Sequence, residues 1–575
     1  MSWSRSTYSA TQNAHHSGHE RSQRFLTAFF WSLLWAVALL ALYQGSDSIA
    51  LIDPNEGRNA SIAREMAASG DYIVPHLNGL PYLDKPVFFF ATAATAIQML
   101  GATEFAVRLP SLVFTLATIL LVMAFGYLRF NRSTALLAGL ILMTCPLVQV
   151  YSRIVIFDAT LMFWISCACM ALHLSWERNR LLWLILGWVA AGFAVLTKGP
   201  VGLALPLLVS VADAMARREK VRRLFHPAGI AVFILVVGPW FLAVTLQHPE
   251  FPHYALVRET YERLVTDNRN GAFYSIAAFL IAGSLPWISM LFLGFRQLAK
   301  FWRERLTTAR TEVFLLLWIL LPLAFFTLSV SKRAGYILPV LPAVALLCAR
   351  LVQGAPHLLR YTAWIAAAIG FLLGIILLFG SGAFAPHIYV SRIAQAMYTQ
   401  GPVMGVALIA AGGMALFGAT SPRRATAGLA MLPIATILGA QGIFAELGEY
   451  RSARSLARAI EVTAPGVSQV IGVEAYAPSL AYYLEKPIVL ATKNNAPEIP
   501  SDYIHEYEDK LRNASNSTLR PEDWWQQSLA QCIEPAVFLV EAEKSEKRTA
   551  LAAELPLIAE NPGHAVYGPC KPVVR

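Results

Sequence analysis

The chain has 575 residues, of which 14% are charged, and its mean hydropathy is +0.51. A soluble protein carries roughly a quarter charged residues, so this composition excludes that class and predicts an integral membrane protein. The net charge of +10 comes from short basic loops between apolar runs, not from a basic, aromatic-interleaved stripe. We therefore expect membrane lipids, and no nucleic acid, among its partners.

The N-terminal residues 1–24 are polar, and we predict a disordered cytoplasmic tail there. The apolar run at 25–43 is too long for a cleaved signal peptide and lacks a small-residue cleavage site, so it is predicted to be a signal anchor. Arginines precede this run, which places its start on the cytoplasmic side.

A polar segment at 45–86 follows and is predicted to lie on the outer side of the membrane. The next apolar stretch, 87–101, is short for a span, which needs about 20 residues. Counting it as a span would move the basic loops 217–223 and 296–306 outside, against the positive-inside rule. We therefore predict a helix lying in the interface and an outer loop that extends over 45–106.

The remaining spans follow from apolar runs of membrane-crossing length separated by basic loops. They are predicted at 107–128, 133–151, 156–175, 181–196, 200–216, 227–247, 273–295, 312–330, 335–353, 361–381, 402–419 and 424–443. With the first run they make about thirteen transmembrane helices and a membrane domain over 25–444.

An odd number of spans places the C-terminal region, 445–575, on the outer side. Helical patterns alternate there with short apolar strands, which predicts a small α/β domain. Its two cysteines, Cys532 and Cys570, can form a disulfide outside the cytoplasm, and the sequence leaves open whether they are bonded.

Ionisable residues gather against the membrane at three places on the predicted outer side. They are Asp53, Glu56, Arg58, Arg64, Glu65, Asp71, Asp84 and Lys85 in the loop, Arg153 and Asp158 in the turn RIVIFDAT, and Lys198, Lys332, Arg333 and Tyr336 in a set of turns counted as the third place. Charges beside hydrocarbon are costly and tend to be functional. Carboxylates can act as a general base toward an acceptor hydroxyl, and Lys and Arg can hold a phosphate leaving group.

Structural roles stay open for several of these residues. Asp158 can cap the helix that follows it, and Lys198, Lys332 and Arg333 can be span-end residues whose charges reach the interface. Arg64 and Glu65 fit the polar side of a packing helix better than a site.

The stretch DPNEGRNASIAREMAASGDYIVPHLNGLPYLDKPVFFF (53–90) resembles the first outer loop of the bacterial 4-amino-4-deoxy-L-arabinose lipid A transferases. Those belong to the protein O-mannosyltransferase-like superfamily with the GT-C membrane fold. Similar motifs follow in order as EFAVRLPS (104–111), FDATLMFW (157–164), LTKGPVGLALP (196–206), IAGSLPW (281–287) and SKRAGYILP (331–339). The resemblance covers about residues 25–350.

This resemblance implies a polyprenyl-phosphate sugar donor, an extracytoplasmic site and inversion at the anomeric carbon. By position in the motifs, Glu56 and Asp158 match family carboxylates. Lys85, Lys198, Lys332 and Tyr336 match residues that line the phosphate region.

Three positions depart from the family pattern. Asn55 stands in the place of the family's Asp, so either Asp53 or Glu56 is the candidate base. Asp84 replaces the Glu before Lys-Pro, and Thr260 replaces the His after Glu259. Asp84 and Glu259 alone make a poor zinc set, so no cofactor is firmly expected and a divalent metal is left open.

We therefore predict an inverting membrane glycosyltransferase that moves an aminoarabinose-like pentose, or a related sugar, from undecaprenyl phosphate to lipid A or another cell-envelope acceptor. Asp53 or Glu56 is the expected base, and Asp158 positions the sugar or acceptor. Arg58, Lys85, Lys198, Lys332 and Tyr336 are expected to bind the donor phosphate. Replacing Glu56 or Asp158 with Ala is expected to abolish transfer and leave the protein folded.

The predicted location is the bacterial inner membrane, with the site and the C-terminal domain facing the periplasm. A protein or polysaccharide acceptor, a transporter of lipid-linked sugars, and a non-catalytic scaffold stay open as alternatives.

Overall fold

The computed structural model describes residues 28–177, 180–262, 271–384 and 391–570. The predicted tail 1–24 therefore lies outside the described residues. Apart from two short strands in the outer loop, the described chain is helical as far as Arg451, past the predicted boundary at 444, and an α/β domain follows.

The helical part contains long apolar helices joined by short turns. Its α-helices are Ala28–Tyr43, Asn55–Ser69, Phe88–Leu100, Glu104–Arg129, Arg132–Met143, Pro146–Tyr151, Asp158–Leu174, Arg180–Lys198, Val201–Ala216, Pro227–Gln247, Phe251–His253, Ser275–Ser284, Ser289–Leu293, Phe295–Arg303, Arg310–Leu328, Leu341–Gly354, His357–Phe384, Ser391–Gly418, Pro422–Gly439 and Gln441–Arg451, with 3-10 helices at Val221–Phe225 and Ala334–Val340 and a π-helix at Tyr254–Glu262. In the described part of the chain, 8 helices are long and apolar enough to cross a membrane. Each predicted span coincides with one or two helices, and the chain is a multi-pass membrane protein; its exact number of crossings stays a prediction.

Packing against neighbouring helices differs strongly from helix to helix. Helix Leu341–Gly354 is apolar and buried on all sides from Leu341 to Ala349, so this part of it lies in the centre of the bundle. Helix Pro227–Gln247 buries only Gly229 and Val244, which leaves most of its apolar surface for lipid.

The short stretch after the outer loop is the helix Phe88–Leu100. Its 13 residues reach about 20 Å, well short of the roughly 30 Å hydrocarbon layer. One face, including Phe89 and Phe90, is buried, while Met99 is 77% exposed. Its length and its one-sided burial agree with the interfacial helix predicted for 87–101, whose position relative to a membrane stays a prediction.

The C-terminal domain is built on a six-stranded sheet. Two short strands in the outer loop, β1 (His76–Leu77) and β2 (Leu80–Pro81), precede its strands β3 (Gln469–Val473), β4 (Ile488–Ala491), β5 (Leu519–Arg520), β6 (Ala536–Glu541), β7 (Leu557–Glu560) and β8 (His564–Tyr567), and its helices are Arg454–Thr463, Pro478–Leu484, Asp502–Glu506, Glu508–Arg512, Trp524–Gln531 and Ser545–Glu554. The strand order is β5-β4-β3-β6-β8-β7, parallel from β5 to β6 and antiparallel beyond. Cys532 and Cys570 form a disulfide in this domain. The predicted fold class, a helical membrane part with a small α/β domain, is confirmed.

The outer loop and the C-terminal domain share one apolar core. Asn78, in the β1–β2 turn, has a φ of 57°, a conformation that Asn tolerates well. Its side-chain amide donates to the Ile488 carbonyl at 2.8 Å and its Oδ1 accepts the Ile488 N–H at 2.7 Å. These bonds join the loop to β4 and hold the domain over the outer loop.

Candidate active site

A cavity of about 990 Å³ lies where the outer loop, the span ends and the C-terminal domain meet. The predicted site residues Asp53, Glu56, Arg58, Asp84, Lys85, Asp158, Lys198, Lys332 and Tyr336 all line it. The side chain of Glu259 lies outside the described residues. The structure thus brings residues from distant segments to one place, while the role of each stays a prediction.

Asp53 borders the cavity and is bound by the C-terminal domain. The Ser479 N–H donates to its Oδ1 at 3.0 Å, and the Ser479 hydroxyl donates to its Oδ2. The carboxylate is partly exposed to the cavity, but the protein around it removes most of its hydration. This burial raises the pKa of Asp53 to about 7, against the opposing effect of the Ser479 bonds.

Glu56 is engaged in a buried ion pair. Arg108, 2% exposed, donates through Nε and Nη2 to its two carboxylate oxygens at 3.1 and 3.0 Å. The backbone N–H groups of Val155 and Ile52 donate to the same carboxylate at 2.9 and 3.1 Å. With four donors in place, Glu56 holds the loop against helix Glu104–Arg129, so the expectation that its removal leaves the protein folded conflicts with the structure.

Asp158 and Lys198 form an ion pair at the cavity wall, with 2.5 Å between Oδ1 and Nζ. The ammonium also lies 5.0 Å from the ring centre of Tyr336 and 5.1 Å from that of Phe157. A Cβ on Gly335 would lie 2.7 Å from Asp158 Oδ1, so only glycine allows the backbone at this position to lie so close to the Asp158 carboxylate. Helix Asp158–Leu174 begins without a side-chain capping bond, and Asp158 instead positions Lys198.

The other predicted cations have backbone partners. Lys332 Nζ donates to the carbonyls of Thr327 at 2.7 Å, Phe326 at 3.1 Å and Ser329, which caps helix Arg310–Leu328. Arg58 Nη1 donates to the Pro500 carbonyl at 3.1 Å. Lys85 Nζ donates to the Asp84 carbonyl at 2.6 Å. Lys332 thus has a structural role at this helix end, and Arg58 holds part of the C-terminal domain.

Asp84 anchors the segment that covers the cavity. Its carboxylate accepts from Tyr254 Oη at 2.8 Å, Ser501 Oγ at 3.1 Å, and the N–H groups of Asp502 at 3.0 Å and Tyr503 at 2.8 Å. A metal bound at Asp84 would have to displace these donors. Among the described residues, no group of three or more His, Cys, Asp and Glu side chains is arranged to hold a metal, and Asp84, whose oxygens are already bonded, does not fit the divalent metal left open above.

We expect Asp84→Ala to loosen the segment 500–506 without unfolding the protein. Each buried N–H left without an acceptor costs about 1–3 kcal/mol, so local opening should rise about tenfold or more. Hydrogen exchange of the peptides covering 500–506 measures this. Asp71→Ala, which removes an acceptor for Ile73 elsewhere in the loop, should leave their exchange unchanged; equal effects of both variants would contradict the anchoring role.

Several residues of the site were not found by the sequence analysis. Arg108 lies in the motif EFAVRLPS, where an arginine inside an apolar run was the available signal. Other residues come from the C-terminal domain or adjoin it: Ser479, Arg451 and the segment 497–505. No sequence motif distinguishes them from other polar residues of that region.

Comparisons with known proteins relate the chain to membrane glycosyltransferases. Residues 84–242 match a family model described as dolichyl-phosphate-mannose-protein mannosyltransferase. A Serratia proteamaculans protein named undecaprenyl phosphate-alpha-4-amino-4-deoxy-L-arabinose arabinosyl transferase is 32% identical over 418 residues, 70% of this chain and 72% of that protein. The protein of that name from Aeromonas hydrophila is 31% identical over 402 residues, 67% of this chain and 71% of its own length.

A third protein of that name, from Pectobacterium atrosepticum, is 35% identical over 354 residues. That match spans 59% of this chain and 63% of the relative, which is less than two thirds of its length. Among solved structures, ArnT from Cupriavidus metallidurans bound to undecaprenyl phosphate has a TM-score of 0.77 and 25% identity, and the match covers 94% of this chain and 97% of that one. The similarity in fold therefore extends over nearly the whole chain.

Proposed function

Because the chain belongs to the undecaprenyl phosphate-alpha-4-amino-4-deoxy-L-arabinose arabinosyl transferase family, we propose that it is a glycosyltransferase using a lipid-linked donor. It moves an aminoarabinose-like pentose, or a related sugar, from undecaprenyl phosphate to lipid A or another cell-envelope acceptor, with inversion at the anomeric carbon. The matched relatives carry the donor in their name, and the ArnT structure contains undecaprenyl phosphate.

The observation that carries this proposal is the charge arrangement of the cavity. Asp53 bonds to Ser479 and, among the described residues, forms no ion pair with a cation, and its pKa of about 7 suits a base at neutral pH. Lys198, Lys85 and Arg58 line the same cavity and supply positive charge for a phosphate. That these groups line one space large enough for a sugar supports the proposal.

The proposed reaction is a single displacement. Asp53 accepts the proton of the acceptor hydroxyl or phosphate while the acceptor oxygen bonds to the anomeric carbon. The bond from that carbon to the phosphate oxygen breaks, and undecaprenyl phosphate leaves with the electron pair. Lys198, positioned by Asp158 and Tyr336, stabilises the negative charge that the leaving phosphate gains. No step is assigned to a metal.

The proposed location is the bacterial inner membrane, with the cavity and the C-terminal domain in the periplasm. The Cys532–Cys570 disulfide supports this orientation, since disulfides form in oxidising compartments. The basic segments 217–223 and 296–306 join other span ends and suit the cytoplasmic side.

Mass spectrometry of lipid A from cells with and without this gene tests the proposal. We expect the loss of a pentose-type addition from lipid A in the deleted cells, and its return when the gene is restored. Unchanged lipid A together with the loss of a sugar from a protein would favour a protein acceptor, which the match of residues 84–242 makes the second candidate. The proposal fails if no envelope sugar changes and the purified protein does not consume undecaprenyl-phosphate-linked sugars.

A further inference from the structure

One residue of the C-terminal domain, Ser479, bonds directly to Asp53 at the wall of the cavity. Ser479 stands near the start of helix Pro478–Leu484 and is completely buried. It is a donor to both oxygens of the Asp53 carboxylate, one through its backbone N–H and the other through its hydroxyl. Two donors from a single residue fix the plane of the carboxylate as well as its position.

The Ser479 hydroxyl has its own fixed orientation. Its oxygen accepts the Ala453 N–H at 2.9 Å, so a lone pair is occupied and the hydroxyl proton is left for Asp53. The Asp53 N–H in turn donates to the Arg451 carbonyl at 3.0 Å. Asp53 is thus held through its backbone by Arg451, where the last helix of the helical part ends, and through its carboxylate by Ser479 of the C-terminal domain.

The outer loop leaves room for this contact at Gly57. A Cβ at that position would overlap Asp53 Oδ1 and would lie 2.7 Å from the Ser479 nitrogen. Any larger residue would therefore separate the two partners. The close packing at Gly57 is a steric observation, beside the hydrogen bonds, that supports the Asp53–Ser479 contact.

We propose that Ser479 is the positioning residue for Asp53, so that the C-terminal domain completes the active site rather than only covering it. The inference rests on the proposed function, in which Asp53 is the base. Hydrogen bonds to a buried carboxylate favour its charged form, so Ser479 sets the pH range over which Asp53 can accept a proton.

The test is the pH profile of kcat/KM of the full-length protein, with undecaprenyl-phosphate-linked aminoarabinose as donor and lipid A as acceptor. Ser479→Ala removes the hydroxyl but keeps the backbone donor. We expect the acid limb of the profile to move up by about one to two pH units, because a hydrogen bond to a charged group has about that effect on a pKa. At pH 6 the variant should be about 10- to 100-fold slower, and at pH 9 its rate should approach that of the natural chain.

Ser61→Ala is the matched control. Ser61 is also a buried serine at this interface, and its hydroxyl donates to the Pro478 carbonyl at 2.7 Å without contacting Asp53. It should weaken domain docking to a similar extent, seen as a similar change in Tm, and leave the acid limb in place. An unshifted profile for Ser479→Ala, or an equal shift in both variants, overturns the inference while leaving the proposed function intact. Full activity of Asp53→Asn rejects both the base and its positioning residue.

Discussion

The Asp53→Asn variant is expected to transfer sugar about 10²- to 10⁴-fold more slowly than the natural chain, the usual contribution of a general base. Asparagine keeps the shape of the side chain and an acceptor for the Ser479 N–H, but it cannot take up a proton. In the natural chain, kcat/KM should fall about tenfold for each pH unit below about 7, where Asp53 becomes protonated. The measurement is the rate of transfer of the purified proteins between pH 5 and 9.

Folding of this variant is not expected to suffer. The pKa of Asp53 rises from 3.8 to about 7 on folding, so between these values the folded state binds more protons than the unfolded state. The free energy of unfolding therefore falls as pH rises from about 4 to about 7. Because the substituted asparagine does not titrate, the free energy of unfolding of the variant lacks this decrease. At pH 8 its Tm should equal or exceed that of the natural chain.

Asp71→Asn, in the same loop but outside the cavity lining, is the control for activity and should keep the full transfer rate. An equally slow Asp71→Asn would contradict a specific role of Asp53.

Glu56→Ala is expected to destabilise the protein by about 3–5 kcal/mol, because it leaves the buried Arg108 guanidinium without a counter-charge. It also removes the acceptor for two backbone N–H groups. Such a loss is a large part of the stability of a folded protein, so we expect low yield and a strongly lowered Tm. The measurement is thermal unfolding of the purified variant in lipid nanodiscs.

A double variant separates this structural role from catalysis. Glu56→Leu combined with Arg108→Met removes both charges and should recover part of the Tm lost in Glu56→Ala, because no unpaired ion is left buried. If Glu56 is only structural, the transfer rate per folded molecule should recover as well. A double variant that folds but stays inactive would return Glu56 to the list of candidate bases.

The positions of the helices were largely predictable, because each apolar run between polar or basic loops corresponds to one or two helices. The helix Phe88–Leu100 was predicted from its short apolar run together with the basic loops that follow it. The convergence of Asp53, Asp158 and Lys198 also followed from their placement in the outer loop and at span ends on one predicted face.

The partner of each charged residue was not predictable from the same patterns. Glu56 and Asp53 are three residues apart in one motif, yet Glu56 is paired with Arg108 while Asp53 bonds to Ser479 and, among the described residues, to no cation. That difference depends on where the start of the helix Glu104–Arg129 lies in space. Lys332 likewise matched the phosphate region by its position in the motif. In the structure, however, its ammonium donates to a backbone carbonyl at the end of helix Arg310–Leu328. A sequence shows which residues carry charge, but the packing of the helices determines which of these side chains are paired within the protein and which can contact a ligand.

The union of the outer loop with the C-terminal domain has a consequence for how the protein is made. Asp53 and Ser479 are 426 positions apart, which at about 5–20 residues per second corresponds to about 20 to 90 s of translation. During that interval the loop is already synthesised, while the serine, the strand that accepts Asn78 and the segment that covers the cavity do not yet exist. A ribosome-bound chain therefore holds an incomplete site. A chain that terminates before the C-terminal domain should therefore be inactive.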